Sequence, residues 1–487
     1  MQASRCARCA RRLLSTAASL APPRGMPDVL PPLARSHRRL QAAFWALAAR
    51  AGYAELAPPL LEHTALFARS LGDTSDVVSK EMYSLTSPQG GGAGSSRSGS
   101  AAAAASAAAA APPPPGASLT LRPEGTAGVL RAVLAAELHR AATPARVAYA
   151  GPMFRHERPQ RGRQRQFTQV GLELVGSAAG GSGGAAEDVE VIALAHDYLA
   201  AVLPPRAPAP VLLVNSLGAD TRAHAQALAA HFGAVRGALS ADSQARLARG
   251  APLRILDSKD PADAPHIAAA PPAALPAADA ARLEAVLAGL AALGIAAQRA
   301  PRLVRGLDYY THTVFEFVAE GGSAVLAGGR YDRLPAQLLG GSAGSGSSAS
   351  AVSAIGWAAG VERLHLLCSE GGGGAAGEGA PLLVALLPVG EEGGGCGAGA
   401  AALALWQACR RGSAALGEAA FVTLPPHPNL KKLLTRANAA GAGVAVIVKG
   451  GGAMVVKDMR SGAQCAAEGA AGVLAAVARV QQGGALA

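Results

Sequence analysis

Two strand-forming runs, residues 146–155 and 166–175, enclose the ten residues HERPQRGRQR, and that spacing constrains the chain more than any other feature in it. Runs of this kind around a charged, proline- and glycine-containing break read as a long β-hairpin. Alternation along the second run places Phe167, Gln169, Gly171, Glu173 and Val175 on one face and Thr168, Val170, Leu172 and Leu174 on the other. The second is an ordinary core face. The first sets an amide and a carboxylate on either side of a glycine, a row that suits a small polar ligand lying on the sheet. At a rise of about 3.3 Å per residue, Gln169 and Glu173 stand roughly 13 Å apart and would grip different ends of it. Alternation alone equally allows this face to meet solvent.

The break and its start carry Arg155, His156, Glu157, Arg158, Gln160, Arg161, Arg163 and Arg165. Guanidinium forks match phosphate oxygens bidentately, so a nucleotide or an RNA end could sit there; a solvated charged hairpin tip is the alternative. Upstream, LRPEGTAGVLRA at 121–132 puts Glu124 and Thr126 at a strand-to-helix junction, where a carboxylate is favourable on helix-dipole grounds alone. Downstream, LVRGLDYYTHTVFEF at 303–317 alternates Thr311, Thr313, Phe315 and Phe317 against Tyr310, His312, Val314 and Glu316, with Arg305 in the turn before. In AGGRYDRL at 327–334 the glycine pair reads as a turn, with Arg330 and Asp332 as a local ion pair. AIGWAAGVERLHLL reads as helical, small residues at 356 and 360 permitting close packing and Arg363 following one turn on. A lone helical arginine is more often a surface residue than a catalyst.

With 487 residues the chain has room for two to four domains. Tracts rich in Gly, Ser, Ala and Pro at 88–117, 176–186, 340–353 and 370–380 cannot bury enough apolar surface to offset ordering entropy, and read as disordered loops or linkers. From Leu33 to Ala51 apolar residues recur at helical spacing behind Pro31-Pro32, giving an amphipathic helix. Residues 213–300 are Ala- and Leu-rich, and read as a helical insertion between two halves of a sheet domain, 26–212 and 301–369. Beyond the linker at 370–380, PLLVALLPV and GVAVIVKG alternate with helical stretches, which makes 381–487 a separate α/β domain.

The net charge of +11 favours a polyanionic partner. Five arginines, and no acidic residue, fall within residues 1–25, which is how an organellar transit peptide reads; the body stays basic without them. With Ala so abundant, the mean hydropathy of +0.23 overstates how apolar the packed elements are, and no run of about 18 large apolar residues suggests a membrane span. The six cysteines are scattered, and Cys6-x-x-Cys9 lacks a second pair, so neither a disulfide framework nor a metal site is expected.

Taken together and in this order, the motifs carry a resemblance. YAGPMFRHERPQRGRQRQFTQVGLELVG resembles motif 2 of class II aminoacyl-tRNA synthetases in its histidine-specific form, and AIGWAAGVERL resembles motif 3. VRGLDYYTHTVFEF and AGGRYDRL resemble the two signature peptides of histidyl-tRNA synthetases, RGMPDVLPP at 24–32 resembles the family's opening, and LPPHPNLKKLLTRANAAGAGVAVIVKG with VVKDMRSGAQ resembles its anticodon-binding domain.

The resemblance implies an α+β fold: a six-stranded antiparallel catalytic sheet flanked by helices, a helical insertion and a C-terminal α/β anticodon-binding domain, in a homodimer. It implies a two-step reaction in which ATP activates histidine and tRNA(His) accepts it. By position, Arg155 and Arg305 would be the catalytic arginines at the α-phosphate and would also bind histidine, Arg155 through its carboxylate; Arg163 would hold the bent triphosphate, Arg363 the γ-phosphate, and Phe167 would stack on adenine. Glu124, Thr126 and Gln169 match the residues that hold the α-amino group, and Glu173 and Tyr310 those that read the imidazole nitrogens, with Tyr309 beside them. Mg2+ would bridge phosphates. Gln160 and Arg161 would meet the tRNA acceptor end, and Lys431, Lys432 and Arg436 the anticodon stem. Thr168 stands where bacterial relatives carry histidine, on the face away from the ligand row, and the tract 88–117 splits the approach to LRPEGT. The leader implies mitochondria, chloroplasts or both, with a cytosolic form from Met26 conceivable. The alternative is a silent histidine-sensing or tRNA-binding paralogue, such as the regulatory subunit of ATP phosphoribosyltransferase; such paralogues lose the ATP-binding arginines and the C-terminal domain, which this chain keeps.

Overall fold

The computed structural model describes residues 20–72, 75, 77–86, 118–141, 143–177, 183–205, 207–306, 309–339, 352–370, 382–390, 398–412, 419–449 and 453–486. The tract 88–117 and most of the tracts 340–353 and 370–380 lie outside them, as does most of the leader. The chain divides into two compact units at Ala375/Ala376.

The first unit opens with α1 (Pro31–Arg50), whose first turn takes the two prolines and whose buried stripe is His37, Leu40, Phe44, Leu47 and Ala48. There follow β1 (Ala54–Glu55), β2 (Leu61–His63), α2 (Thr64–Leu71), β3 (Tyr83–Thr86), β4 (Ser118–Leu121) and α3 (Thr126–Ala135). The long hairpin is β5 (Ala145–Phe154) and β6 (Gln166–Ser177), and α4 (Ala185–Val202) leads to β7 (Val211–Ser216). Then come α5 (Arg222–Ala234), α6 (Ala241–Ala248), α7 (Ala264–Ala268) and α8 (Ala277–Ala292). The unit closes with β8 (Ala297–Arg299), β9 (Thr311–Val318), β10 (Ala324–Arg330), α9 (Leu334–Leu338), β11 (Val352–Gly360) and α10 (Val361–Glu370).

The main sheet runs β1-β5-β6-β11-β10-β9-β7-β8. Its six central strands are antiparallel throughout, and the short edge strands β1 and β8 add to them in parallel. One face packs Val170, Leu172 and Leu174 against residues of α1, α4, α8 and α10. The other packs Tyr149, Val175, Val314, Tyr331 and Ala354 against α2, α3 and the segment after β7.

Three readings change in the structure. Residues 213–300 are not helical throughout, because β7 and β8 belong to the main sheet and α8 packs Leu283, Val286 and Leu290 into its core. A short apolar run such as VLLVNS cannot be told from a helix by periodicity alone. Residues 354–360 form β11 rather than helix, with the helix starting at Val361; nearly every residue of β11 is buried, so no two-fold alternation marks it in the sequence. Gly328 and Gly329 lie within β10 and not in a turn. A Cβ on Gly328 would strike the Gly356 carbonyl and Trp357 on β11, so glycine is what lets the two strands approach.

In the second unit β12 (Leu383–Pro388), α11 (Ala398–Gly412), β13 (Ala420–Thr423), α12 (Leu430–Ala439), β14 (Val444–Val448), β15 (Met454–Asp458), β16 (Gln464–Ala467) and α13 (Gly469–Gln481) alternate. The sheet order is β13-β12-β14-β15-β16, parallel among the first three strands and antiparallel beyond. No helix among the described residues is long and apolar enough to cross a membrane.

Candidate active site

Glu173 sits at the centre of β6, opposite Gly356 on β11, with 1% of its surface exposed. The solvent-facing reading of its row therefore fails at Glu173. Its carboxylate accepts from Thr126 Oγ1 at 2.7 Å and from Tyr331 Oη at 2.5 Å. The two hydroxyls come from the start of α3 and the end of β10, so one acid fastens three separate elements. Tyr309, Tyr310 and Tyr331 pack ring to ring, with centroids 4.6 to 6.5 Å apart. Burial pushes the Tyr149, Tyr309 and Tyr331 phenols up, so all three stay neutral donors.

Glu124 points into the start of α3, where its two oxygens accept from the backbone N–H of Thr126 at 2.7 Å and of Ala127 at 2.9 Å. It thus satisfies donors that a helix leaves unpaired at its N-terminus. Burial raises its pKa, and those N–H groups oppose the rise. Gln169 Oε1 accepts from Gly125 N at 3.0 Å and from Tyr149 Oη at 3.5 Å. Arg155 binds the Pro123 carbonyl through Nε at 2.8 Å and lies over the Phe167 ring at 5.4 Å, which connects the acidic end of the row to its aromatic end.

Around Phe167 the charge reverses. Arg155 and Arg163 share Glu157 at 3.8 and 3.6 Å, and Arg363 reaches from α10 to the Gly162 and Ala324 carbonyls. Arg363 is half-buried rather than a surface residue. Burial lowers its pKa, and repulsion from Arg163, Arg155 and Arg305 lowers it further against Glu157. The guanidinium groups of Arg155, Arg163 and Arg363, with Glu157 shared between two of them, leave a positive field suited to a polyanion. Arg305 pairs with Glu316 of β9, while its Nε is buried without a hydrogen-bond partner. The loop itself is held by the chain's opening: Arg165 N donates to the Gly25 carbonyl at 2.7 Å, and Gly25 has a φ of +84°, open to glycine at little cost. At the loop tip Gln160 pairs with Arg163, and Gln160 and Arg161 are exposed. Lys431, Lys432 and Arg436 lie exposed on α12 in the second unit.

Sequence reasoning missed Tyr331, Tyr149 and Glu316 as parts of the site. Tyr331 was hidden by reading the preceding glycines as a turn. Tyr149 could have been found from the hairpin register, which sets it opposite Gly171. Arg330 does meet Asp332 at 3.2 Å, but it is fully buried and its closest carboxylate is Asp188, which no local reading of AGGRYDRL could supply.

Burial pushes the Glu173 carboxyl up to about 8, against the hydroxyls of Tyr331 and Thr126. A carboxyl raised in the folded state contributes stability that is present below its unfolded pKa and lost as pH rises through about 8. The unliganded protein should therefore lose more thermal stability between pH 6 and pH 9 than its Glu173→Gln variant. Parallel melting-temperature profiles for the two would show that Glu173 is ionised throughout.

The family model described as histidyl-tRNA synthetase matches residues 94–364. The histidine–tRNA ligase of Rhodospirillum rubrum is 42% identical over 458 residues, spanning 92% of this chain and 96% of that protein. The histidine–tRNA ligase of Gluconacetobacter diazotrophicus is 42% identical over 438 residues, spanning 88% and 91%. Among solved structures, the apo histidyl-tRNA synthetase of S. aureus is 26% identical and superimposes with a TM-score of 0.64, covering 95% of this chain and 99% of its own.

Proposed function

This chain belongs to the histidyl-tRNA synthetase family, and from that premise we infer how its residues divide the labour of the family's reaction. It activates L-histidine with ATP, giving histidyl-adenylate and pyrophosphate, and transfers the histidine to tRNA(His). In the first step a histidine carboxylate oxygen attacks the α-phosphorus and pyrophosphate departs; in the second a terminal ribose hydroxyl of the tRNA attacks the adenylate carbonyl and AMP departs.

Both partners of the first step are anions, so the site must bring two negative charges together and stabilise more at the α-phosphate. Arg155 and Arg305 carry that task, Arg163 and Arg363 hold the β- and γ-phosphates, and Phe167 stacks on adenine. The observation that carries this assignment is the mutual approach of four arginines, Arg163, Arg155 and Arg305 each repelling Arg363, with Arg155 lying over Phe167. Glu173 and Tyr310, with Tyr309 beside them, read the imidazole; Glu124, Thr126 and Gln169 take the α-amino end. No group of three or more His, Cys, Asp or Glu able to hold a metal occurs among the described residues, so we assign Mg2+ to the phosphate oxygens of ATP, where it would offset charge on the departing pyrophosphate. Gln160 and Arg161 at the hairpin tip are assigned to the acceptor end of the tRNA, and Lys431, Lys432 and Arg436 to its anticodon stem.

The function is tested by exchange of labelled pyrophosphate into ATP. Exchange should appear with histidine alone among the amino acids. A folded protein that binds histidine or tRNA yet shows no exchange would be a sensing or RNA-binding module instead.

We further propose a homodimer, supported by the small sheet β2-β4-β3, whose polarity is inverted. Its inner face holds Glu62 and Thr120, with Arg131 bound to Glu62, while Leu61, Leu85 and Leu119 are exposed on the outer face and Leu85 pairs with Leu119. An apolar face of that kind is stabilised by a second copy. Leu119→Lys should shift the protein toward monomer by sedimentation equilibrium. A variant as dimeric as the parent would remove this face from the interface, and a monomeric parent would remove the dimer. Residues 1–25 we assign to organellar targeting, to mitochondria, chloroplasts or both; a fluorescent reporter carrying them and remaining diffuse in the cytosol would overturn it.

A further inference from the structure

We propose that Asp188, on the side of the sheet away from the pocket, is a positioning residue for histidine recognition: it locks the bulge from which Tyr310 and Tyr331 are aimed. The proposal rests on the reading of the pocket given above.

Asp188 belongs to the first turn of α4 and is fully buried. Its Oδ1 accepts from Arg330 Nε at 2.9 Å and Nη2 at 2.5 Å. Its Oδ2 accepts from Thr313 Oγ1 at 2.6 Å and from Arg282 Nε and Nη2 at 3.2 and 3.1 Å. Arg330 is also fully buried, and it reaches Glu187 and Asp332 besides. Such a cluster is costly to assemble and costly to break, and it tolerates only the geometry in which every charge is met.

The two strand residues that Asp188 holds flank an irregularity. Gly329 of β10 pairs with Val314 of β9, but Arg330 pairs with Thr311, so His312 and Thr313 face no partner on β10. His312 has a φ of +46°, unusual for a residue with a side chain, and such a conformation persists where its surroundings impose it. A bulge re-aims the side chains beside it. Here those are Tyr310, one residue before the paired Thr311, and Tyr331, one residue after Arg330 and bound to Glu173. The loop past the bulge is tied back to β9 and β11, Asp332 N donating to Thr311 Oγ1 at 3.3 Å and Ala354 N to Asp332 Oδ1 at 2.8 Å. One carboxylate, bound to Thr313 on β9 and to Arg330 on β10, therefore fixes both strands at the point where they fall out of register. Arg305, Arg155 and Arg363 make no hydrogen bond with this cluster among those described, so the ATP end should not feel its loss.

Asp188→Asn keeps the shape but gives up the charge and turns one acceptor into a donor facing a guanidinium. In pyrophosphate exchange its KM for histidine should rise by about tenfold while its KM for ATP stays within about twofold. Thr313→Val, which removes a single hydrogen bond at constant shape, should raise the histidine KM by about threefold. It serves also if Asp188→Asn does not fold. The decisive readout is a double-mutant cycle with Tyr331→Phe: if Asp188 acts through Tyr331, the two effects on histidine KM are strongly non-additive. Equal rises in both KM values, or additive effects beside a lowered melting temperature, would make Asp188 a structural residue only and overturn the proposal. Absence of histidine-dependent exchange in the parent protein would instead overturn the reading of the pocket itself.

Discussion

Glu173→Ala is expected to lower kcat/KM for histidine in pyrophosphate exchange by about 10³-fold, or about 4 kcal/mol of transition-state binding, while the protein remains folded. The carboxylate accepts from both Thr126 Oγ1 and Tyr331 Oη, and it is buried. Without it an imidazole N–H would meet the Thr126 and Tyr331 hydroxyls with no carboxylate between them to accept it, and a buried donor without an acceptor is what a polar site rejects most strongly. Stability should change little, because the loss of two buried hydrogen bonds opposes the relief of a desolvated carboxyl. Burial has already raised the carboxyl to about 8, so the native state gives up free energy to hold it near neutral pH. Glu173→Gln should fall between, since one amide oxygen still accepts. A Glu173→Ala protein that exchanges within tenfold of the parent would remove Glu173 from imidazole recognition.

Gly356→Ala is expected to damage both stability and histidine binding. A Cβ built there would overlap Glu173 Oε2 and the Leu172 carbonyl and lie 2.5 Å from Glu173 Cδ. Neither neighbour can swing aside, one being strand backbone and the other a carboxyl fixed by two hydroxyls. Overpacking of a strand centre costs about 3 kcal/mol or more, and the displaced carboxylate should lower histidine kcat/KM by more than about 100-fold. The combination Gly356→Ala with Glu173→Ala separates the two losses: it should regain part of the melting temperature and none of the activity. If Gly356→Ala alone melts and exchanges like the parent, then β11 does not press on Glu173 as described.

Much of this site was legible in the sequence because it lies along single strands and at single junctions. The row Phe167, Gln169, Gly171 and Glu173 follows from two-fold alternation in one segment, and Glu124 and Thr126 from one strand-to-helix step. The family resemblance then gave Arg155, Arg163, Arg305 and Arg363 an order that spacing alone could not. What failed, failed where both faces of a strand are buried. In β11 and β10 there is no polar side to mark the period, so Gly356 read as a small helix residue and Gly328 as a turn, when each is a gap through which a neighbouring strand or side chain passes.

The sequence by itself determined the α+β class, the long hairpin, the reversal from acidic to basic along it and the separate α/β unit at the end, because these rest on local periodicity and composition. Only the tertiary structure decided that Glu173 is buried beneath two hydroxyls, that Tyr331 belongs to the pocket, and that Arg330 answers to Asp188 rather than to its neighbour Asp332 alone. The physical reason is the distance along the chain. Tyr331 lies 158 residues from Glu173 and Arg330 lies 142 from Asp188, and pairings of that span are chosen by strand order and burial, which no local pattern encodes.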